Sequence, residues 1–307
     1  MMKQKIIITG GTGFLGQCIV NALSKNNYDI VVLSRTKNKI DNNVNYIKWD
    51  GKTLGAWSKE LEGSSIVINL AGRSVDCRYN KKNKKVIVDS RVDATHIIGE
   101  AIKSCNNPPK LWINAGSATI YRNTIDKPMD EATGEYGSGF SVEVCKKWEE
   151  TFNNIVVPNT RKVCLRISIV LGLGGGVIPI MTKLARLGLG GTQGRGNQYI
   201  SWLHETDFLR IIKWVIDHEE IEGTYNCSAP NPIQNAPFMK LIRSICGVKI
   251  GLPAKRWMLE IGAIFLRTET ELILKSRRVV PQKFLDSGFE FRYPTVGKAL
   301  DNLITRQ

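Results

Sequence analysis

The feature that most constrains this chain lies at its start. A short apolar run, Ile6-Ile7-Ile8, leads into Thr9-Gly10-Gly11-Thr12-Gly13-Phe14-Leu15-Gly16, and helical spacing follows in which Leu15, Ile19, Ala22 and Leu23 share one face. An apolar run bounded by glycine reads as a buried parallel strand. The GxxGxxG spacing then has a mechanical meaning. The first glycine permits a tight turn, the second lets backbone approach a pyrophosphate, and the third lets the helix close on the strand. Free N–H groups at the helix start face the phosphate, and the helix dipole favours its charge. The candidate contacts are Gly10, Thr12, Gly13, Phe14, Leu15 and Gly16.

The same alternation continues. Strand signals fall at Ile30–Leu33, Ile66–Leu70, Leu111–Ala115 and Val163–Val170. Helical spacing covers Lys84–Ser104, stopped by Asn106-Asn107-Pro108-Pro109, and Ser141–Asn153. Strands alternating with helices predict an α/β protein, a Rossmann-type doubly wound parallel sheet covered on both faces. After Val170 the texture changes to glycine-rich loops around a helix holding Ile180, Met181, Leu184 and Leu187. Tyr199–Leu203 reads as a short strand, and from Pro230 prolines and short helices dominate. The expected division is a dinucleotide-binding domain over 1–229, with 170–200 contributing to a substrate lobe, and a small C-terminal domain over 230–307.

The second strand ends Leu33-Ser34-Arg35-Thr36-Lys37, with no carboxylate to hold a ribose 2′-hydroxyl. Arg35 is suited to a forked contact with a 2′-phosphate, with Ser34 donating a hydrogen bond. This chemistry favours NADP(H) over NAD(H).

Composition narrows the partners. The formal net charge of +15 suits anionic ligands. No helix-turn-helix, zinc-finger spacing or base-stacking aromatic pattern accompanies it, so nucleic acid is not expected as a partner. No apolar run reaches the length of a membrane span, and the opening residues lack a secretory apolar core, so the expectation is a cytoplasmic protein without a membrane partner. Seven scattered cysteines without CxxC pairs and three dispersed histidines argue against a disulfide frame and a metal site. The stripe of Trp257, Met258 and Ile261 reads as a helix face packed on a neighbour, and His204 with Asp207 as polar residues bonding loop backbone.

Several segments together carry a resemblance to a family. TGGTGFLG at Thr9, NLAG at Asn69 and GSATIY at Gly116 are similar to extended and atypical short-chain dehydrogenases/reductases. SRVDAT at Ser90, CKKWEE at Cys145, GLGG at Gly188, SWLHETD at Ser201 and the late VVPQKFLDSGFEFRYPTVGKAL narrow it. They resemble the epimerase-like family of bacterial YfcH proteins and the vertebrate short-chain dehydrogenase family 39U, with its small C-terminal domain. The resemblance implies that Asn69, Leu70, Ala71 and Gly72 pass near the adenine ribose and pyrophosphate. It also implies that Arg166 and Ser168 end a strand near the nicotinamide, and that Ser117 occupies the active-site Ser/Thr position.

The resemblance also exposes a gap. Such enzymes use Tyr-x-x-x-Lys, in which the lysine lowers the tyrosine's pKa and the tyrosine moves a proton at the substrate oxygen. Anchoring on Trp148-Glu149 places that pair at Ser141 and Cys145. Cysteine supplies no fixed positive charge, and serine is too weak an acid without a base. The position of a supporting asparagine, four before Thr95, holds Arg91, which joins the candidate cofactor-side set and, with Arg73, could meet an anionic group. Two readings follow. In one, the chain is an oxidoreductase or epimerase-like enzyme acting on a small molecule, neutral or anionic, with Tyr121 as the acid/base and Ser117 orienting the substrate. In the other, it binds NADP(H) without turnover, as a redox sensor or scaffold.

Overall fold

The computed structural model describes residues 3–25, 28–36, 38–42, 44–266 and 269–305, so Lys37 at the end of the second strand lies outside the described residues. The first half runs β1 (Gln4–Thr9), α1 (Phe14–Leu23), β2 (Tyr28–Ser34), β3 (Lys39–Asp41), β4 (Val44–Lys48), a 3-10 turn (Ala56–Leu61), β5 (Ile66–Asn69), α2 (Lys81–Lys103), β6 (Leu111–Ser117), α3 (Phe140–Asn154) and β7 (Arg161–Ile167). There follow β8 (Ile169–Leu171), α4 (Ile178–Arg186), β9 (Tyr199–Ile200), β10 (Trp202–His204), α5 (Glu205–Asp217) and β11 (Gly223–Cys227). The chain then continues through β12 (Ile233–Gln234), α6 (Asn235–Ile245), α7 (Arg256–Leu266), α8 (Glu271–Leu274), α9 (Gln282–Asp286) and α10 (Val296–Ile304).

Eight strands form one sheet in the order β11-β7-β6-β5-β1-β2-β4-β3. All neighbours are parallel except β3, which returns antiparallel to β4. This is the doubly wound sheet expected from the sequence. Successive side chains of a strand face opposite ways. Ile6 and Ile8 therefore enter one core with Ile19, Val215 and Leu300, while Ile7 enters the other with Ile98, Trp112 and Phe152. Each of these burials stabilises by about 1.5–3 kcal/mol. Phe238, Leu300 and Leu303 lie in the same core as β1, so the late helices share the sheet's interior.

The strand expected over Val163–Val170 divides at Ser168. The Ser168 N–H still bonds the Cys227 carbonyl of β11, but the next N–H, from Ile169, bonds the Ser201 carbonyl. The chain thus changes partner within one residue, and β8 leaves the main sheet to pair with β10. Tyr199–Leu203 divides likewise at Ser201, with β9 pairing antiparallel to β12. Among the described residues, no helix is long and apolar enough to cross a membrane.

Candidate functional site

β1 sits where the sheet reverses its winding, with β2 on one side and β5 on the other. In open α/β sheets, ligands bind outside the carboxyl ends of the strands at that point. Here the spot holds a cleft of about 360 Å³, lined by Gly10, Thr12, Gly13, Ser34, Arg35, Leu70, Ala71 and Gly72 from the expected set.

The three loop glycines have distinct physical reasons. Gly10 has φ +67°, and a Cβ there would stand 2.6 Å from the Leu70 carbonyl oxygen. A Cβ on Gly16 would stand 2.3 Å from the Gly10 oxygen, so that glycine lets α1 pack on the loop. Gly13 differs: its nearest neighbour would be 3.5 Å away, an ordinary contact, and its φ is −83°. The protein itself therefore tolerates a side chain at Gly13, and the bare backbone there faces the cleft, as a pyrophosphate requires. Gly13 also caps α1 without a side-chain hydrogen bond, leaving first-turn N–H groups for a ligand. Phe14 turns its ring away and is clasped by the later glycine loop, since a Cβ on Gly172 or Gly175 would fall within 3 Å of the ring side chain. Leu15 packs against the core, so both contribute backbone to the loop.

Ser34 is buried with its hydroxyl 2.6 Å from that of Thr36, and it accepts a bond from the Thr36 N–H; Arg35 is exposed at the cleft rim. Trp49, Asp50 and Lys52 line the same cleft and were not singled out by the sequence. The Asp50 carboxylate accepts from the Thr53 hydroxyl and from the Thr53 and Lys52 N–H groups. Those bonds, the Thr53 hydroxyl first, hold its pKa down at about 2.

Asn69 is fully buried and turned into the sheet. Its Oδ1 accepts from the Thr9 hydroxyl (2.6 Å) and the Ala71 N–H (3.1 Å), and its Nδ2 donates to Asn114 (2.6 Å) and Thr95 (3.1 Å). The Trp148 indole donates to the same Thr95 hydroxyl at 3.0 Å. Asn69 thus holds the Leu70–Gly72 loop in place instead of presenting its side chain to the cleft.

A second, smaller pocket of about 110 Å³ brings together Tyr79, Arg91, Ser117, Ser141 and Cys145. Ser117 accepts a bond from the Thr119 N–H. Arg91 donates to the carbonyls of Ile87 and Arg73 and stacks over Trp148 at 5.1 Å. Cys145 is buried, and that burial, with the Glu149 charge behind it, pushes its thiol up to about 12. It supplies no cation. Ser141 has a partner that the sequence did not reveal: its hydroxyl donates to the Glu271 carboxylate of α8, and the Tyr79 hydroxyl lies 3.5 Å from Ser141 Oγ. Glu271 is held below its ordinary value, its bonds from Lys275 and Ser141 outweighing burial, and burial raises Tyr79.

Tyr121 and Arg166 belong elsewhere. Arg166 donates from Nε and Nη2 to the two oxygens of Glu149 (2.9 and 2.8 Å), from Nη1 to the Tyr121 hydroxyl (2.7 Å) and from Nη2 to the Tyr136 hydroxyl (2.6 Å). It is 4% exposed, and its donors are committed to the protein rather than to a nicotinamide. The Tyr121 hydroxyl also bonds Asn226 (2.9 Å), and burial lifts it to about 12 despite Arg166. Tyr121 is thus held in the Arg166 network and does not line the pocket of Ser117. Ser168 is likewise engaged, its hydroxyl donating to the Cys227 carbonyl. His204 caps α5 by accepting from the Thr206 N–H, and Asp207 accepts from the Arg292 and Tyr293 N–H groups, which ties the late chain to α5.

The fold and cleft together define an α/β protein with a glycine loop opening onto a cleft at its switch point. The chain belongs to the NAD dependent epimerase/dehydratase family, whose profile matches residues 6–228, and residues 256–303 match DUF1731, a domain of unknown function. It is 32% identical to the Epimerase family protein YfhF of Bacillus subtilis, covering 97% of each chain, and 27% identical to human Epimerase family protein SDR39U1, covering 98% of this chain and 99% of that one. The crystal structure of human SDR39U1 with NADPH aligns over 99% of this chain and all of that one, at 26% identity and a TM-score of 0.87. A UDP-N-acetylglucosamine 4-epimerase from Bacillus cereus, at 18% identity and a TM-score of 0.78, shares the fold.

Proposed function

We propose that this chain binds NADPH in the 360 Å³ cleft and uses it for oxidoreductase or epimerase-type chemistry on a small molecule seated beside Ser117. The observation that carries the reading is Gly13, whose bare backbone opens onto the cleft although nothing in the protein forbids a side chain there. The NADPH-bound state of human SDR39U1, alike over the whole chain, supports it. Gly10 to Gly16 would hold the pyrophosphate through backbone N–H groups, and Arg35, with Ser34 beside it, would meet the 2′-phosphate.

When bound, NADPH supplies a hydride. The chain's own residues then have to orient the substrate oxygen and handle one proton. Ser117, which lines the smaller pocket, would orient that oxygen. In place of Tyr-x-x-x-Lys stands a cluster of two hydroxyls, Tyr79 and Ser141, backed by the Glu271 carboxylate. A carboxylate accepting from a hydroxyl makes that hydroxyl a better base, so the cluster would take the proton of a substrate alcohol when hydride leaves the substrate carbon and return it to the substrate oxygen when hydride arrives. Hydride transfer between NADPH deuterated at C4 and a panel of carbonyl and alcohol substrates, followed by mass spectrometry, tests this.

A specific observation favours a second reading, NADPH binding without turnover. Cys145 is a neutral thiol, and Tyr79 is raised above its ordinary value, so the pocket holds no phenol lowered toward neutral pH. Tight NADPH binding with no label transfer to any substrate would support that sensor or scaffold role.

A further inference from the structure

Beside the pocket of Ser117 lies a larger cavity of about 530 Å³, between the 136–142 segment and residues 275–277 of the C-terminal region. Tyr136, Ser138, Lys275 and Arg277 are among its lining residues. Its volume falls in the range of small-molecule sites.

Arg277 is the anomaly. Its side chain is largely enclosed, yet among the described residues that side chain makes one hydrogen bond, from Nη1 to the Ser276 carbonyl at 3.1 Å, while the backbone N–H and carbonyl bond Tyr199 and Ser201. Its Nε is buried with no acceptor, and no carboxylate of the described residues lies within ion-pair distance. Buried charges are normally paired, because an uncompensated one is costly to desolvate. The chain follows that rule elsewhere: Arg166 spends its donors on Glu149, Tyr121 and Tyr136. Burial pulls the Arg277 pKa down, more than the nearby Glu271 charge raises it.

Lys275 adds a second cation at the same wall. Its Nζ bonds Glu271 at 2.7 Å and would stand 3.8 Å from a Cβ on Gly139. Gly139 caps α3 without a side-chain hydrogen bond, so the positive end of that helix adjoins the cation. Glu271 is the one carboxylate bonded there, and it is shared between Lys275 and Ser141. At residues 275–277 one negative charge thus stands against two positive ones, while Arg122, which also lines the cavity, is paired with Asp126 and Glu135, and Glu271 joins this wall to the smaller pocket.

We propose that this cavity seats an oxyanion, a carboxylate or phosphate group of the small molecule, with Arg277 as its forked donor and Lys275 as a second cation. That the ligand is a substrate rests on the reading of function above. The oxyanion site itself rests on Arg277. A planar guanidinium with unused donors matches the paired oxygens of either group.

The test is a titration of the full chain, saturated with NADPH, with inorganic phosphate and separately with malonate, following backbone amide shifts at Ser138, Gly139, Ser276 and Arg277. The expected result is saturable shifts at these amides with at least one anion. Binding is expected to be roughly tenfold weaker or more in Arg277→Gln, with partial retention in Arg277→Lys. NADPH affinity and unfolding midpoint are expected to stay at wild-type values, and Lys275→Met gives an independent reading should Arg277→Gln misfold. No saturable shift with either anion up to about 100 mM, or equal affinity in Arg277→Gln, overturns the site. If the wild type fails to bind NADPH, the functional reading falls instead, and the same comparison of wild type with Arg277→Gln in the free chain still decides the oxyanion site.

Discussion

The Ser141 hydroxyl donates to the Glu271 carboxylate, joining the first turn of α3 to α8 across 130 residues of sequence. Ser141 stands where related enzymes place tyrosine, and on its own a serine is a poor proton carrier. In the proposed chemistry the carboxylate would supply the base that the sequence pattern lacks. In an enzyme that turns over, Glu271→Gln is expected to lower kcat about 100-fold, the scale of a lost acid/base contribution, with KM for NADPH unchanged. Steady-state kinetics with any substrate found active checks this, and an unchanged kcat removes Glu271 from proton handling.

Gly13 and Gly16 separate ligand binding from folding. Gly13→Ala should fold normally, because its Cβ would meet nothing closer than 3.5 Å, and should weaken NADPH binding by roughly tenfold or more by placing a methyl where backbone meets pyrophosphate. Gly16→Ala should destabilise the fold by about 3 kcal/mol, the upper end of overpacking effects, since its Cβ would collide with the Gly10 carbonyl at 2.3 Å. Chemical denaturation and cofactor titration of both variants distinguish the two effects.

The Arg166–Glu149 pair is assigned to the fold. Arg166→Met strands a buried carboxylate and should destabilise by about 3–5 kcal/mol. The double variant Arg166→Met with Glu149→Leu should recover a large part of that loss. A double variant no more stable than Arg166→Met would contradict the pairing.

Asp50 gives a pH signature. Its folded pKa, about 2, lies below the ordinary 3.8, so the unfolded chain protonates first as pH falls. Its contribution is complete above about pH 4 and fades as pH drops through about 2. Because the carboxylate is exposed, that contribution is at most about 1 kcal/mol. Asp50→Ala should therefore be slightly less stable than wild type at pH 6, and the difference should shrink by pH 2. Urea unfolding across that range checks it, and an offset independent of pH would refute the cause.

The glycine loop was legible because its signals are local: Ile6-Ile7-Ile8, the spacing of Gly10, Gly13 and Gly16, and the apolar face of α1 lie within twenty residues. β4 was not, since Val44–Lys48 is short and its pairing with β2 comes from the assembled sheet, which hid Asp50 at its end. The resemblance put Arg166 near the nicotinamide, and its partner, on another element, was out of view. A signal was present nonetheless. Glu149 lies four residues after Cys145 and three before Phe152, on the buried stripe of α3, and a carboxylate there demands an enclosed cation. Thr95, on the buried face of α2, carries the same message for Asn69 and Trp148. Glu271 gave no such clue, because only the three-dimensional return of the C-terminal region brings it to Ser141.

A cleft built for a 2′-phosphorylated dinucleotide distinguishes NADPH from NADH, and calorimetric titration of the full chain with both measures that difference. NADPH is expected to bind more tightly, with the preference lost in Arg35→Asp while NADH affinity changes little. Equal or tighter binding of NADH by the wild type would contradict it.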